Sequence, residues 1–277
     1  MTGFFQTAPA RPTPHNQARR PARAPWGATL AACLGLGMGL GLAAPAAAFD
    51  PGAMTAGERA AFNEAVRSYM LENPQILMEM VSAMEQREQV SAAATDRTRL
   101  RAEAGALYED TASWVGGNLD GDITVVEFMD YRCGYCRRAH PEVKDLIATD
   151  GNIRLIVKEF PILGPESEVL SRYAVAVLQK AGDATYAKAR EALITLQGPA
   201  SDAALEEISA SIGVDHPQIK AHMDSPDVTR VIDTNRALAT RLDINGTPTF
   251  VIDQVMVRGY VPLVGMTQIV AEQRANN

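Results

Sequence analysis

The sequence predicts an α/β fold: a βαβ start, an inserted helical subdomain and a ββα finish, with an α-helical arm in front. Three observations carry this. "ITVVEFM" (123–129) and "NIRLIVKEF" (152–160) are short β-branched apolar runs that flank a helical pattern over 133–148. Amphipathic helical periodicity then fills the stretch from about 165 to 242, before two more short strand patterns. Ahead of all this, residues 55–90 carry two apolar stripes at helical spacing.

The 277-residue chain opens with a basic, Pro-rich segment holding Arg11, Arg19, Arg20 and Arg23, with no acidic residue before Asp50. "GATLAACLGLGMGLGLAAPAAA" follows and ends in an A-x-A pattern that predicts cleavage after Ala48. Basic start, apolar centre and small-residue end together read as an export signal over 1–48. A transmembrane anchor is the alternative for the apolar run. A lipoprotein box at Leu30-Ala31-Ala32-Cys33 is another, although most of the apolar run lies after Cys33. Loss of the four arginines takes the formal charge from -7 to -11. An acidic chain of this kind has no charge-driven attraction to nucleic acid or anionic membrane. The expected location is the periplasm.

The arm is expected over 49–112. Phe62, Ala65, Val66, Tyr69 and Met70 form its first stripe, and Ile76, Leu77, Met80, Val81 and Met84 the second. Asn73 is the expected N-cap between them, with Pro74 as the first helical residue. "EQREQVSAAATDRTRLRAEAG" then reads as a solvated stalk to about residue 110. Two such short stripes cannot form a core alone, and the polar stalk behind them favours self-association through residues 49–90.

"SWVGGNLDGD" (113–122) is turn-rich and reads as a linker into a main domain over 113–277. In the insert, "EVLSRYAVAVLQ" puts Val169, Leu170, Tyr173, Ala174, Val177 and Leu178 on one helical face. "YAKAREALITL", "SDAALEEISASI" with Ser201 or Asp202 as cap, and "DVTRVIDTNRALATRL" are three further helices. "TFVID" and "VMVRGY" form a tight strand pair, and a last helix starts near Leu263.

Chemistry centres on Cys133 and Cys136 in "VVEFMDYRCGYCRRAHP". They are the two cysteines left of three once Cys33 is cleaved away. In an oxidising compartment such thiols pair as a disulfide. A loop this short removes little chain entropy, so it is a poor structural staple. Zinc would use Cys133, Cys136 and His140, but a structural site needs a fourth ligand and no cysteine remains to supply it. Copper(I) suits two thiolates, and a copper-binding module stays open as a reading of another class. No cofactor is expected.

A C-x-x-C beside a βαβ unit reads as a redox motif. A cysteine at a helix N-terminus meets unpaired backbone N–H groups and the positive end of the dipole, both of which favour the attacking thiolate. Arg132, Arg137 and Arg138 either add positive charge there or serve solubility.

"VVEFMDYRCGYCRRAHP" and "INGTPTFVI" resemble the DsbA-like branch of the thioredoxin superfamily over roughly residues 115–277. "FNEAVRSYMLENPQILMEMVSAMEQRE" is similar to the N-terminal oligomerisation arm of ScsC proteins. The resemblance implies a thioredoxin fold with Cys133 as nucleophile and Cys136 as resolving thiol. It also implies a buried acid at Glu127 that, with a raised pKa, shuttles the Cys136 proton. Pro141 would kink the active-site helix. Thr247-Pro248 would be the cis-proline loop that offers Thr247 backbone to substrate, and Gly134 and Tyr135 would set the redox poise. The Gly-Tyr pair, with Thr before the proline, is more like the disulfide isomerases than the strong oxidases. The expected activity is exported thiol:disulfide isomerase or reductase, with a monomeric dithiol oxidase as the alternative. Cysteine-containing exported proteins, a membrane redox partner and further copies of the chain, a trimer among the possibilities, are the partners this implies.

Overall fold

The computed structural model describes residues 51–276, so the export segment expected over 1–48 and the box at Cys33 lie outside the described residues. The chain divides after Glu64 into two units. In the first, Thr55 starts helix α1 (Ala56–Glu72) with a reciprocal cap. The Glu58 amide donates to Thr55 Oγ1 at 3.3 Å, and the Thr55 amide donates to Glu58 Oε2 at 2.8 Å.

The second unit opens with the rest of α1. Helix α2 (Gln75–Ala102) follows, then the short helix α3 (Ala104–Tyr108). Asn73 does not cap α2. Its side-chain amide donates to the Tyr69 carbonyl at 2.8 Å, and Pro74 takes the cap position. Of the two stripes, Val66, Tyr69, Met70, Leu77, Met80, Val81 and Met84 are exposed, as are Leu71 and Met78 beside them, at 72% and 66% accessible.

The stalk expected to about residue 110 is not a solvated spacer at its far end. Leu100 and Leu107 are buried against Val126, Phe128 and Ile156. Asp96 is buried too, and both its oxygens accept from Arg258, at 2.5 and 2.9 Å. Composition hides this because one turn of a long polar helix needs only a single leucine to dock. Leu100→Ala should cost about 2–5 kcal/mol in denaturant unfolding. A loss under about 0.5 kcal/mol, as at an ordinary surface site, would detach this turn from the core.

The residues expected as a linker form strand β1 (Trp114–Gly117). Gly117 has φ 71, and a Cβ there would lie 2.4 Å from the Ile153 carbonyl oxygen. A glycine that reads as a turn signal therefore lets an edge strand approach its neighbour. Next come β2 (Ile123–Met129), α4 (Gly134–Asp150) and β3 (Ile153–Glu159). The insert has five helices where four patterns were legible: α5 (Pro165–Ala181), α6 (Asp183–Thr195), α7 (Asp202–Ile212), α8 (His216–Met223) and α9 (Pro226–Arg241). The unforeseen α8 is only eight residues long. The structure closes with β4 (Thr249–Ile252), β5 (Val255–Arg258) and α10 (Leu263–Asn276).

The five-stranded sheet has the order β1-β3-β2-β4-β5. Only β2 and β3 run parallel, with Glu127 opposite Val157. Both faces of β2 are covered, which explains its unbroken apolar run. Val125 and Met129 point into the larger core shared with α4, α5, α6 and α10, while Val126 and Phe128 point to α3 and α9. Residue parity puts Glu127 on the first of these faces, under α4. Among the described residues no helix is long and apolar enough to cross a membrane.

Candidate active site

Cys133 is the N-cap of α4, with φ -74 and ψ 116. The Asp130 carbonyl accepts from the Cys133 amide at 3.1 Å, closing the turn that delivers β2 into the helix. The Cys136 amide donates to Cys133 Sγ at 3.4 Å, so the sulfur occupies the place of a capping oxygen. Both cysteines are buried free thiols, so the pair is described here in its dithiol form. Cys133 Sγ donates to the Thr247 carbonyl at 3.1 Å, and the Thr247–Pro248 bond is cis. The structure thus brings Cys133, Cys136, Thr247 and Pro248 together from opposite ends of the main unit.

The two thiols have opposite proton affinities. Hydrogen bonding from the Cys136 side chain is the largest influence on Cys133; burial opposes it, and the Thr247 side chain and the Cys136 and Tyr135 amides reinforce it. Together they lower Cys133 to about 5. Burial pushes Cys136 far up, helped by its bond to Cys133 and the charge of Glu127. One thiolate and one retained proton result near neutral pH.

The three nearby arginines are engaged elsewhere. Arg132 Nε lies 2.9 Å from Glu166, Arg137 Nε donates to the Tyr131 carbonyl at 3.0 Å, and Arg138 sits 4.5 Å over the Tyr260 ring. The Cys136 side chain first, then the Thr247 side chain and the amides at the helix start, are the local sources of Cys133 stabilisation. His140 is buried with its Nε2 3.0 Å from Glu191. Tyr135 is exposed and stacks on Tyr260 at 6.4 Å, and a Cβ at Gly134 would meet open space.

Glu127 is 1% exposed and has a charged partner. Arg190 of α6 donates to it at 2.6 Å. Sequence reasoning had no access to this pair, because the partners are 63 residues apart. It also missed Asp130, whose carboxylate accepts from the amides of Arg132, Ile162 and Leu163 at 2.7, 2.9 and 3.0 Å. An Asp two residues before an amide is a local turn signal that could have been read. Glu159, which accepts from Tyr131, Tyr186 and Ser171, was a second missed acid. Burial raises it to about 7 against the pull of those hydroxyls.

Comparison with known proteins agrees with this geometry. A thioredoxin family model matches residues 109–272, and one described as the copper resistance protein ScsC N-terminal domain matches 58–89. A thioredoxin-like oxidoreductase from Silicibacter pomeroyi DSS-3 is 38% identical, with TM-score 0.57, covering 62% of this chain and 97% of that one. A linker-deletion mutant of Proteus mirabilis ScsC is 25% identical, with TM-score 0.61, covering 82% of this chain and 100% of that one. Among curated proteins, a Na(+)/H(+) antiporter NhaA of Herminiimonas arsenicoxydans is 26% identical over 161 residues, 58% of this chain but 25% of that protein. The chain thus spans about a quarter of the length of that relative.

Proposed function

The chain belongs to the thioredoxin family, with an ScsC-like N-terminal segment, and on that premise we propose that it is an exported thiol:disulfide oxidoreductase working as an isomerase or reductase. The observation that carries this is the split between the two thiols. Cys133, lowered to about 5, is the thiolate that attacks a client disulfide. One client sulfur leaves as a thiolate and a Cys133–client disulfide forms. Cys136, still protonated, is kept from competing until its proton is removed; its sulfur then attacks Cys133 Sγ, closes the Cys133–Cys136 disulfide and frees the second client thiolate. In isomerisation the second step is instead taken by another client thiol, which returns Cys133 unchanged.

A retained proton on Cys136 supports exchange over a two-thiolate copper site, which needs both sulfurs ionised. Thr247 and Pro248 would meet the client backbone, and Tyr135 and Gly134 would border the approach to Cys133. The periplasm is the proposed location, supported by the export signal read in residues 1–48. The proposed organisation is signal over 1–48, arm from 49 and catalytic domain to 277, with the end of α2 belonging to the catalytic domain.

Ultraviolet thiolate absorbance against pH tests the reading. A midpoint near 5 is expected; one near the free-cysteine value of about 8.5 would contradict an activated site. The sign for stability follows. Cys133 is depressed in the fold, so its contribution is complete above about 8.5 and is lost as pH falls through about 5. The stability difference between the reduced protein and Cys133→Ser should therefore shrink across that window on acidification.

A further inference from the structure

The loop that carries Thr247 and Pro248 runs from the end of α9 into β4, and little packs behind it. A cavity of about 160 Å³ lies against it, lined by Asp243, Asn245, Thr247, Pro248, Arg258 and Gly259 among others. A second cavity, about 510 Å³, shares Asp243, Asn245 and Arg258 with the first and continues to Ser91 and Thr95 on α2. Close packing fixes the cysteine turn, whose two thiols sit in the larger core. It does not fix this loop in the same way.

Polar contacts hold the loop at both ends. Upstream, Asp243 has φ 57 and accepts from Arg99 of α2 at 3.1 Å, and the Asn245 side-chain amide donates to Asp243 Oδ1 at 3.1 Å. Downstream, the Gly259 amide donates to the Pro248 carbonyl at 2.9 Å, and Arg258 lies opposite Thr249 where β5 pairs with β4. Arg258 in turn donates through Nη1 and Nη2 to Asp96 of α2 at 2.5 and 2.9 Å. Asp96 Oδ1 is also 3.6 Å from Arg99. Asp243, Arg99, Asp96 and Arg258 thus form one chain of alternating charge, and a single turn of α2 grips both flanks of the loop.

Asp96 is the unusual member. It and Leu100 are the two buried residues of α2. Leu100 supplies the apolar anchor, and an apolar side chain at 96 would dock the helix as well as a buried carboxylate does, or better. What the carboxylate adds is direction. A two-point pair fixes the plane and the orientation of the guanidinium it holds. That guanidinium belongs to Arg258, the neighbour of the residue whose amide holds Pro248.

We infer that Asp96 of the arm helix is a positioning residue for client binding, fixing the Thr247–Pro248 loop through Arg258 and Gly259. This rests on the exchange reading above, in which the client backbone lies along that loop. The Thr247 carbonyl is 3.1 Å from Cys133 Sγ, so the loop also sets where a bound client disulfide stands relative to the attacking sulfur. The arm therefore contributes to the catalytic unit through its far end, in addition to any assembly made by residues 49–90.

Rapid-quench reaction of the reduced full chain with a synthetic peptide closed by one disulfide tests this. The peptide disulfide is reduced to two thiols and the Cys133–Cys136 pair is oxidised to its disulfide; the remaining free thiols are alkylated and counted. Varying the peptide gives a half-saturating concentration and a limiting rate. Asp96→Ala should raise the half-saturating concentration about tenfold, a part of the ~10²-fold that a misplacement of ~1 Å costs. Its limiting rate should stay within about threefold, because main-chain pairing holds the client equally before and during attack. Ellman's reagent has no backbone to pair, so its reaction with Cys133 should also stay within about threefold.

Arg258→Ala should reproduce the tenfold rise, and adding Asp96→Ala to it should give no further change. The Arg258 side chain is 44% exposed, so this variant carries the test if Asp96→Ala does not fold. Arg101 of α2 donates to Gln254 at 3.1 Å, at the opposite end of the β4–β5 pair, and Arg101→Met should leave peptide binding within about twofold. Parent-like peptide saturation in both Asp96→Ala and Arg258→Ala, an equal loss with Ellman's reagent, or the same rise in Arg101→Met would each overturn the inference. If the parent does not reduce the peptide, the exchange reading fails and the inference falls with it. If the parent reduces it and the two alanine variants match the parent, only the positioning role is lost.

Discussion

Cys136→Ser is expected to leave Cys133 covalently joined to client proteins, and Cys133→Ser to abolish exchange. The asymmetry follows from the roles of the sulfurs. The N-cap position and the amides that stabilise Cys133 persist when Cys136 is changed, although the direct contribution of the Cys136 side chain is lost. Attack therefore proceeds and release does not. Without Cys133 the remaining sulfur is buried, protonated and 1% exposed, so exchange should fall roughly 10³-fold or more, on the scale of removing a nucleophile. Non-reducing electrophoresis and intact mass of the two variants, recovered from the exporting cell, check this. Adducts on Cys136 in the Cys133→Ser protein would reverse the assignment.

What the sequence showed and what it hid divide along physical lines. The catalytic turn was legible because its signals are local: a strand pattern, two cysteines one helical turn apart, and a proline loop ahead of a strand. Cys133 Sγ and the Thr247 carbonyl are 114 residues apart in sequence and 3.1 Å apart in space. That closeness entered only through the resemblance to a family in which the two loops meet. Glu127 could be singled out because an acid in "TVVEFM" is costly to bury. Its partner Arg190 could not, since an arginine in "YAKAREALITL" has the same appearance whether it faces water or a buried carboxylate. For the arginines beside the cysteines the sequence left two readings open, added charge at the site or solubility, and all three side chains turn to other partners. Strand β1 and the docked end of α2 were missed because their composition, glycine-rich in one case and polar in the other, matches what a linker or stalk requires.

The second large effect concerns the arm. Tyr69, Leu71, Leu77, Met78, Met80 and Met84 are exposed over two successive helices. A single chain in water seldom leaves such a run uncovered. Further copies of this chain are the proposed cover, a trimer the expected assembly. Helix α2 has 28 residues, so it reaches about 42 Å at 1.5 Å per residue. Its far end is fixed to the catalytic domain by Leu100, by Asp96 with Arg258, and by Arg99, which donates to Asp243 at 3.1 Å. The arm must accordingly be cut before Asp96; a cut at residue 110 would strip Leu100 and Leu107 from the core. Deleting residues 49–90 should give a monomer by light scattering. Dithiol exchange should stay within about twofold of the parent. Isomerase activity should fall about tenfold or more, because a second tethered active site no longer acts at high effective concentration.

The central claim is that the Cys133–Cys136 pair reshuffles client disulfides from its reduced state. Recovery of activity by a scrambled-disulfide client, incubated with catalytic amounts of the reduced chain lacking its export signal, tests it most directly. The expected result is multiple-turnover recovery that Cys133→Ser does not support. A chain that oxidises reduced clients but leaves the scrambled one inactive would contradict it, and would assign the protein to the simple dithiol oxidases.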